Sequence, residues 1–143
     1  MIVEKLKIDE YEEVYLLWSE ANGITLRLVD DSRDGIDRFL KRNPNNSYIC
    51  RLEGKIIGCI LCGHDGRKGF IYHTVVKEDQ RGKGIGKLLV EQAVNSLKEE
   101  QITKIGVLVN FDNKQGHDFW VSLGFEFFND LDYGLLPLNK LNK

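Results

Sequence analysis

Apolar and polar positions interleave through residues 2–8 (IVEKLKI), which predicts a strand. Asp9 is placed to cap a helix running to about Ala21, with Val14, Leu17 and Trp18 on one side. GITLRLVDD predicts a loop or a short strand, and Ser32 caps a second helix through Phe39 and Leu40 that stops before Pro44. SYICRLEGKIIGCILCGHD holds two apolar runs separated by Glu53-Gly54-Lys55, a hairpin signal strengthened by Gly54. DGRKG makes the next turn, and GFIYHTVV (69–76) is a third strand of this meander. A helix to about Glu100 follows, with Ile85, Leu88, Leu89, Ala93 and Leu97 as its apolar stripe. KIGVLVN (104–110) predicts a short strand buried on both faces. NKQGHDFWVSLG reads as a helix closed by Gly124, and FEFF and DYGLLPL as final strands.

The resulting order, β-α-α-β-β-β-α-β-α-β-β, predicts an α+β domain on a mixed sheet. Its early hairpins are antiparallel. The helix between strands 69–76 and 104–110 permits a parallel, right-handed crossover. A chain of 143 residues suits a single domain spanning 1–143. With 42% apolar and 29% charged residues, the composition is that of a soluble globular protein. A net charge of −2 supplies no basic footprint for nucleic acid. No run approaches the ~18 apolar residues of a membrane span, and the N-terminus has no apolar signal core. No nucleic-acid or membrane partner is therefore expected, and a cytoplasmic location is the default.

The three cysteines, Cys50, Cys59 and Cys62, are an odd number, which argues against a disulfide framework. Cys59 and Cys62 form a C-x-x-C, but on a predicted strand. Residues three apart on a strand point to opposite faces and cannot share a metal ion. No second ligand pair follows, so these are expected to be buried thiols and no metal site is assigned.

Three alternate glycines, Gly82, Gly84 and Gly86, stand with Arg81, Lys83 and Lys87 at the head of the third predicted helix. Glycine permits positive φ and close approach of a ligand to the backbone. The first amides of a helix have no internal partners and carry partial positive charge. Together these predict a phosphate cradle built mainly of main chain. A Walker loop is excluded, because it needs glycine where Arg81 stands and Ser or Thr where Leu88 stands. The dinucleotide pattern is excluded by Lys87, where it needs a third glycine.

The pattern that does match is R-x-x-G-x-G, as Arg81-x-x-Gly84-x-Gly86, after a strand and opening a helix. In this setting, with HTVVKEDQRGKGIG before it and NKQGHDFWVSLGF about thirty residues on, the chain resembles the GNAT superfamily of acyl-CoA-dependent N-acyltransferases. The resemblance covers nearly the whole chain. It implies a central mixed sheet of about seven strands flanked by about four helices, acetyl-CoA as cosubstrate and an amine as acceptor. The acceptor class is a small molecule, a peptide N-terminus or a lysine. Small members are often homodimers, so that state is an expectation too. By the same resemblance, amides of Arg81, Gly82, Lys83, Gly84, Ile85, Gly86 and Lys87 would hold the pyrophosphate. The main chain of Thr74, Val75 and Val76 would pair with the pantetheine arm, and Asn113 would touch it from the other side. The strands near residues 75 and 108 would splay apart to admit it.

An amine acceptor with a pKa near ~10.4 must lose a proton before it attacks a thioester. The chain departs from the family here. Trp120 stands where many members have a tyrosine acid, and the strand 70–76 lacks the usual glutamate. His73, on that strand, is the first candidate base, since imidazole titrates near neutrality. Its structural alternative is a satisfied sheet histidine. Tyr133 is a candidate hydroxyl from the last predicted strands, with a core or edge tyrosine as its alternative. His117 reads as a solvated helix residue. A water chain would need no dedicated side chain. The acidic group Glu12, Glu13, Glu20, Asp30, Asp31 and Asp34 reads as a solvated face, or as a site favouring a cationic amine. Two other functions stay open at this level: a non-catalytic CoA-binding regulator of the same fold, and a nucleotide-binding protein.

Overall fold

The computed structural model describes residues 1–142. Five strands form one sheet in sequence order. They are β1 (Ile2–Lys5), β2 (Tyr48–Leu52), β3 (Lys55–His64), β4 (Gly69–Val76) and β5 (Ile105–Val107). The first three junctions are antiparallel, and β4 to β5 is parallel. Helix α3 (Ile85–Glu99) makes the crossover between the two parallel strands. Helices α1 (Tyr11–Glu20) and α2 (Arg33–Arg42) join β1 to β2, and α4 (Lys114–Ser122) follows β5.

Local chemistry explains most of these boundaries. The hairpin between β2 and β3 turns on Glu53 and Gly54, with φ of 52° and 80°. Two consecutive positive φ values match the right-handed twist of the flanking strands. Ser32 caps α2 by accepting a hydrogen bond from the Gly35 amide at 3.0 Å. At α1, a 3-10 turn over Ile8–Glu10 precedes the helix, so Asp9 lies inside that turn and is not the cap.

The sheet separates two cores. On one face, Ile60, Cys62 and Ile71 pack with Ile85, Leu89, Ala93 and Leu97 of α3 and Trp120 of α4. On the other, Ile49, Cys59, Leu61 and Val75 pack with Val14, Leu17 and Trp18 of α1 and Ile36 and Leu40 of α2. Cys59 and Cys62 thus point to opposite faces, as strand geometry requires. All three cysteines are free and buried. Burial pushes the Cys62 thiol up to about 12 and the Cys59 thiol still further.

Two expectations fail at the C-terminal side. The strand expected over 104–110 is limited to Ile105–Val107 and is only half-buried, with Leu108 exposed. It lies at the sheet edge, so no second neighbour covers it. Residues 125–138, expected to supply two strands, form none, which leaves five strands where about seven were expected. A strand needs a partner ladder, and Gly134 and Pro137 interrupt this one; proline donates no ladder hydrogen bond.

Candidate active site

Strand β4 runs between two layers and carries the candidates His73, Thr74, Val75 and Val76. Its ladder with β5 holds only Gly69–Ile105, Phe70–Gly106 and Ile71–Val107. Beyond Ile71 it continues to Val76 with no strand on that side. The two parallel strands therefore diverge beside Thr74, Val75 and Val76, which leaves an edge where an extended ligand can pair with main chain.

The glycine segment lies just past this edge, and its three glycines do different jobs. Gly82 and Gly84 adopt φ of 78° and 80°, a backbone that side chains disfavour. Nothing stands within 4 Å of where a Cβ would be at either, so the space over the loop is open. Gly84 is the N-cap of α3; no side chain caps it and no acidic residue sits in the first turn. Its terminal amides thus have no side-chain cap. Gly86 has no positive φ. A Cβ there would come within 3.2 Å of the Phe119 ring, so Gly86 is a packing glycine that lets α3 approach α4. Arg81 donates from Nε to the Val76 carbonyl at 3.1 Å and ties the loop to the end of β4. Lys83 reaches Gln80 and Lys87 lies 4.0 Å from Glu91, both at the surface. A cavity of about 380 Å³ runs along this end of β4, between Leu17, Glu20 and Asn22 and the stretch from Val75 to Arg81.

Midway along β4 the register slips. Leu61 pairs with His73 but Cys62 with Ile71, so Tyr72 is an extra residue. Such a bulge re-aims side chains. It turns Tyr72 and His73 to the same face: Tyr72 meets Phe39 of α2, and His73 meets the edge of Trp18 of α1. His73 Nε2 lies 2.7 Å from Asp31 Oδ1. Asp31 is only 5% exposed, and its other oxygen accepts from the Arg27 amide at 2.7 Å. Tyr11 donates its hydroxyl to the Asp31 carbonyl at 2.6 Å. The acidic run is therefore not a uniform solvated face, because one of its members is buried and paired. Nothing in the sequence pattern separates Asp31 from its neighbours.

On the opposite face, Thr74 pairs across the sheet with Ile60, on the α3 side. Its Oγ1 is buried and has no hydrogen-bond partner. An orphaned hydroxyl beside a diverging ladder fits a site whose polar ligand supplies the partner. Asn113 caps α4, accepting from the Gly116 amide at 3.0 Å. Trp120 is core, edge-on to Phe119 and Phe125. His117 is half-buried, with Nδ1 2.8 Å from the Asn113 carbonyl and its ring on Phe127. Tyr133 is exposed and lies away from the glycine segment, at a second cavity around Tyr72.

The sequence model of the acetyltransferase (GNAT) family matches residues 10–125. The chain belongs to that family. An acetyltransferase of Sodalis glossinidius (strain morsitans) is 29% identical over 126 residues, covering 88% of this chain and 87% of that protein. An acetyltransferase of Yersinia pestis (strain Pestoides F) is 30% identical over 118 residues, 82% of each chain. Among solved structures, the PaiA N-acetyltransferase of Thermoplasma acidophilum in complex with coenzyme A superposes with a TM-score of 0.79 at 21% identity, covering 92% of both chains. That likeness supports the fold. Among the described residues of this acetyltransferase, no helix is long and apolar enough to cross a membrane.

Proposed function

We propose that this acetyltransferase moves the acetyl group of acetyl-CoA directly to an amine. The observation that carries the reading is the divergence of β4 from β5 beside an uncapped α3 N-terminus. One element offers main chain to an extended arm, and the other offers amides to its pyrophosphate.

The residues suit the cosubstrate. Amides from Gly82 to Lys87, beside the open space over Gly82 and Gly84, would hold the pyrophosphate, while the Arg81 amide already donates to the Glu78 carbonyl at 3.3 Å. Thr74, Val75 and Val76 would bond the pantetheine arm, and Asn113 would border it from α4. The Thr74 hydroxyl would gain the partner it lacks. Acetyl-CoA, when bound, supplies an acetyl thioester whose thiolate is a competent leaving group.

His73 is the proposed base. One nitrogen is engaged by Asp31, which fixes the ring and balances positive charge formed on it, the role a carboxylate plays behind a catalytic histidine. The remaining ring nitrogen is then the one to take the ammonium proton. The edge of Trp18 holds the ring plane and restricts water. Tyr133, which lines the cavity around Tyr72, would contact the acceptor rather than the thioester.

Titration calorimetry with CoA and acetyl-CoA, together with thiol release in the presence of amines, tests the proposal. Saturable heat and amine-dependent thiol release are expected. Thermal stabilisation by ATP with none by acetyl-CoA would overturn it.

A further inference from the structure

The second cavity, about 350 Å³, opens on the α2 face of the sheet around Tyr72. Its floor is aromatic. Tyr72 lies 5.4 Å from Phe39 and 5.0 Å from Phe70, ring centre to ring centre, and Tyr133 closes one side. Its far end carries Arg42 and Lys68. Neither forms an ion pair among the described residues. The one carboxylate of the lining, Asp65, already accepts from the amides of Arg67 and Lys68 at 2.8 and 2.9 Å. His64 is occupied as well, between Glu100 and the Gly66 amide.

A group of opposite character stands beside Tyr72, outside the cavity lining. The bulge that turns Tyr72 into the cavity turns His73 to the same face, and His73 is backed by Asp31. Along this face of the sheet the order is thus His73 with its buried carboxylate, just outside the cavity, then the aromatic floor, then two cations without ion pairs. That polarity suits a molecule positive at one end, flat or apolar in the middle and negative at the other. A purely cationic amine would leave Arg42 and Lys68 unmatched and repelling it.

We propose that the acceptor of this acetyltransferase is a zwitterionic amine with its ammonium and carboxylate at opposite ends of an apolar or aromatic body. The amine sits at His73, the body lies on Tyr72 and Phe39, and the carboxylate is held by Arg42 and Lys68. The inference rests on the acetyl-transfer reading above. In the step it serves, the amine nitrogen bonds the acetyl carbon as the carbon–sulfur bond breaks. The ammonium first gives one proton to His73; the nitrogen's second proton passes to the departing sulfur, which leaves as the thiol. Arg42 and Lys68 bind and orient only.

The test uses two matched pairs of amines with the full chain: 4-(aminomethyl)benzoate against 4-methylbenzylamine, and glycylphenylalanine against its amide. Each pair differs in the terminal anion. Thiol release from acetyl-CoA is expected to show kcat/KM at least about tenfold higher for one acid over its uncharged partner, the scale of a charge-assisted hydrogen bond. Arg42→Ala and Lys68→Ala are each expected to shrink that ratio several-fold; both side chains line an open cavity without ion pairs, so folding is retained. The proposal is overturned if neither acid is preferred, if the preference survives both substitutions, or if none of the four amines is acetylated. Calorimetric affinity for acetyl-CoA, measured in parallel, reports separately on the cosubstrate reading. Loss of acceptor preference with intact acetyl-CoA binding sinks only this inference.

Discussion

His73 Nε2 and Asp31 Oδ1 sit 2.7 Å apart, joining the middle of β4 to the loop before α2. The contact spans 42 residues of sequence and is shielded by Trp18. It orients an imidazole on the face of β4 that packs against α1, the face proposed for the acceptor. His73→Ala is expected to lower kcat by ~10²-fold or more, the usual range for a positioned base. Affinity for acetyl-CoA should stay unchanged by calorimetry. Asp31→Asn should reduce kcat by a smaller factor while leaving acetyl-CoA binding intact. An unaltered pH–rate profile in His73→Ala would remove the histidine from the mechanism.

Thr74→Val should separate stability from binding. The buried hydroxyl has no partner, so replacing it with a methyl of similar shape removes a penalty of ~1 kcal/mol or more. Urea denaturation without ligand should show equal or greater stability. Titration with CoA should show several-fold weaker binding. Reduced stability in the free protein would mean that the hydroxyl is satisfied in solution.

The glycines should fail in different ways. Gly84→Ala imposes positive φ on a residue with a Cβ, at a cost of ~1–2 kcal/mol, and places a methyl group in the open cradle. Its larger effect should be on CoA affinity. Gly86→Val drives a side chain into Phe119, an overpacking of ~1–3 kcal/mol. Its larger effect should be on the denaturation midpoint, with partial recovery in combination with Phe119→Leu.

Acid stability should depend on Glu100. The Asn46 side-chain amide, at 2.7 Å, holds its carboxyl below the ordinary value of 4.5; burial opposes this, and His64 adds a further lowering. A depressed carboxyl contributes stability that is complete above the unfolded value and is lost as pH falls through the folded one. The stability gap between the protein and Glu100→Gln should therefore hold near neutrality and close below about pH 4.5. Urea midpoints at a series of pH values measure this. A gap independent of pH would show that the carboxylate charge is not what matters.

The cysteines should be silent toward a disulfide reagent. All three are buried, and burial raises each thiol. Native protein should release no chromophore from an aromatic disulfide until denatured, when all three react. Thiol-release assays then report CoA alone. Rapid labelling of native protein would place one thiol at an opening surface.

The elements through α4 were legible because each is encoded by neighbours: the Ser32 cap, the Glu53-Gly54 turn, the apolar stripe of α3 and the glycines opening it. The glycine loop was legible for the same reason, since consecutive residues make both the loop and the helix terminus. The separate duty of Gly86 was not, because Phe119 approaches it from another helix. The final strands read as strands from composition, yet residues 125–138 form none, since alternation cannot supply a partner ladder. The bulge at Tyr72, the parting of β4 from β5 and the pairing of Asp31 with His73 were decided by tertiary structure alone. Each depends on which distant segments pack together, and short-range periodicity and turn chemistry carry no record of that. Sequence determined the glycine loop that opens α3; packing decided that His73 meets Asp31 and that Arg42 and Lys68 line one cavity.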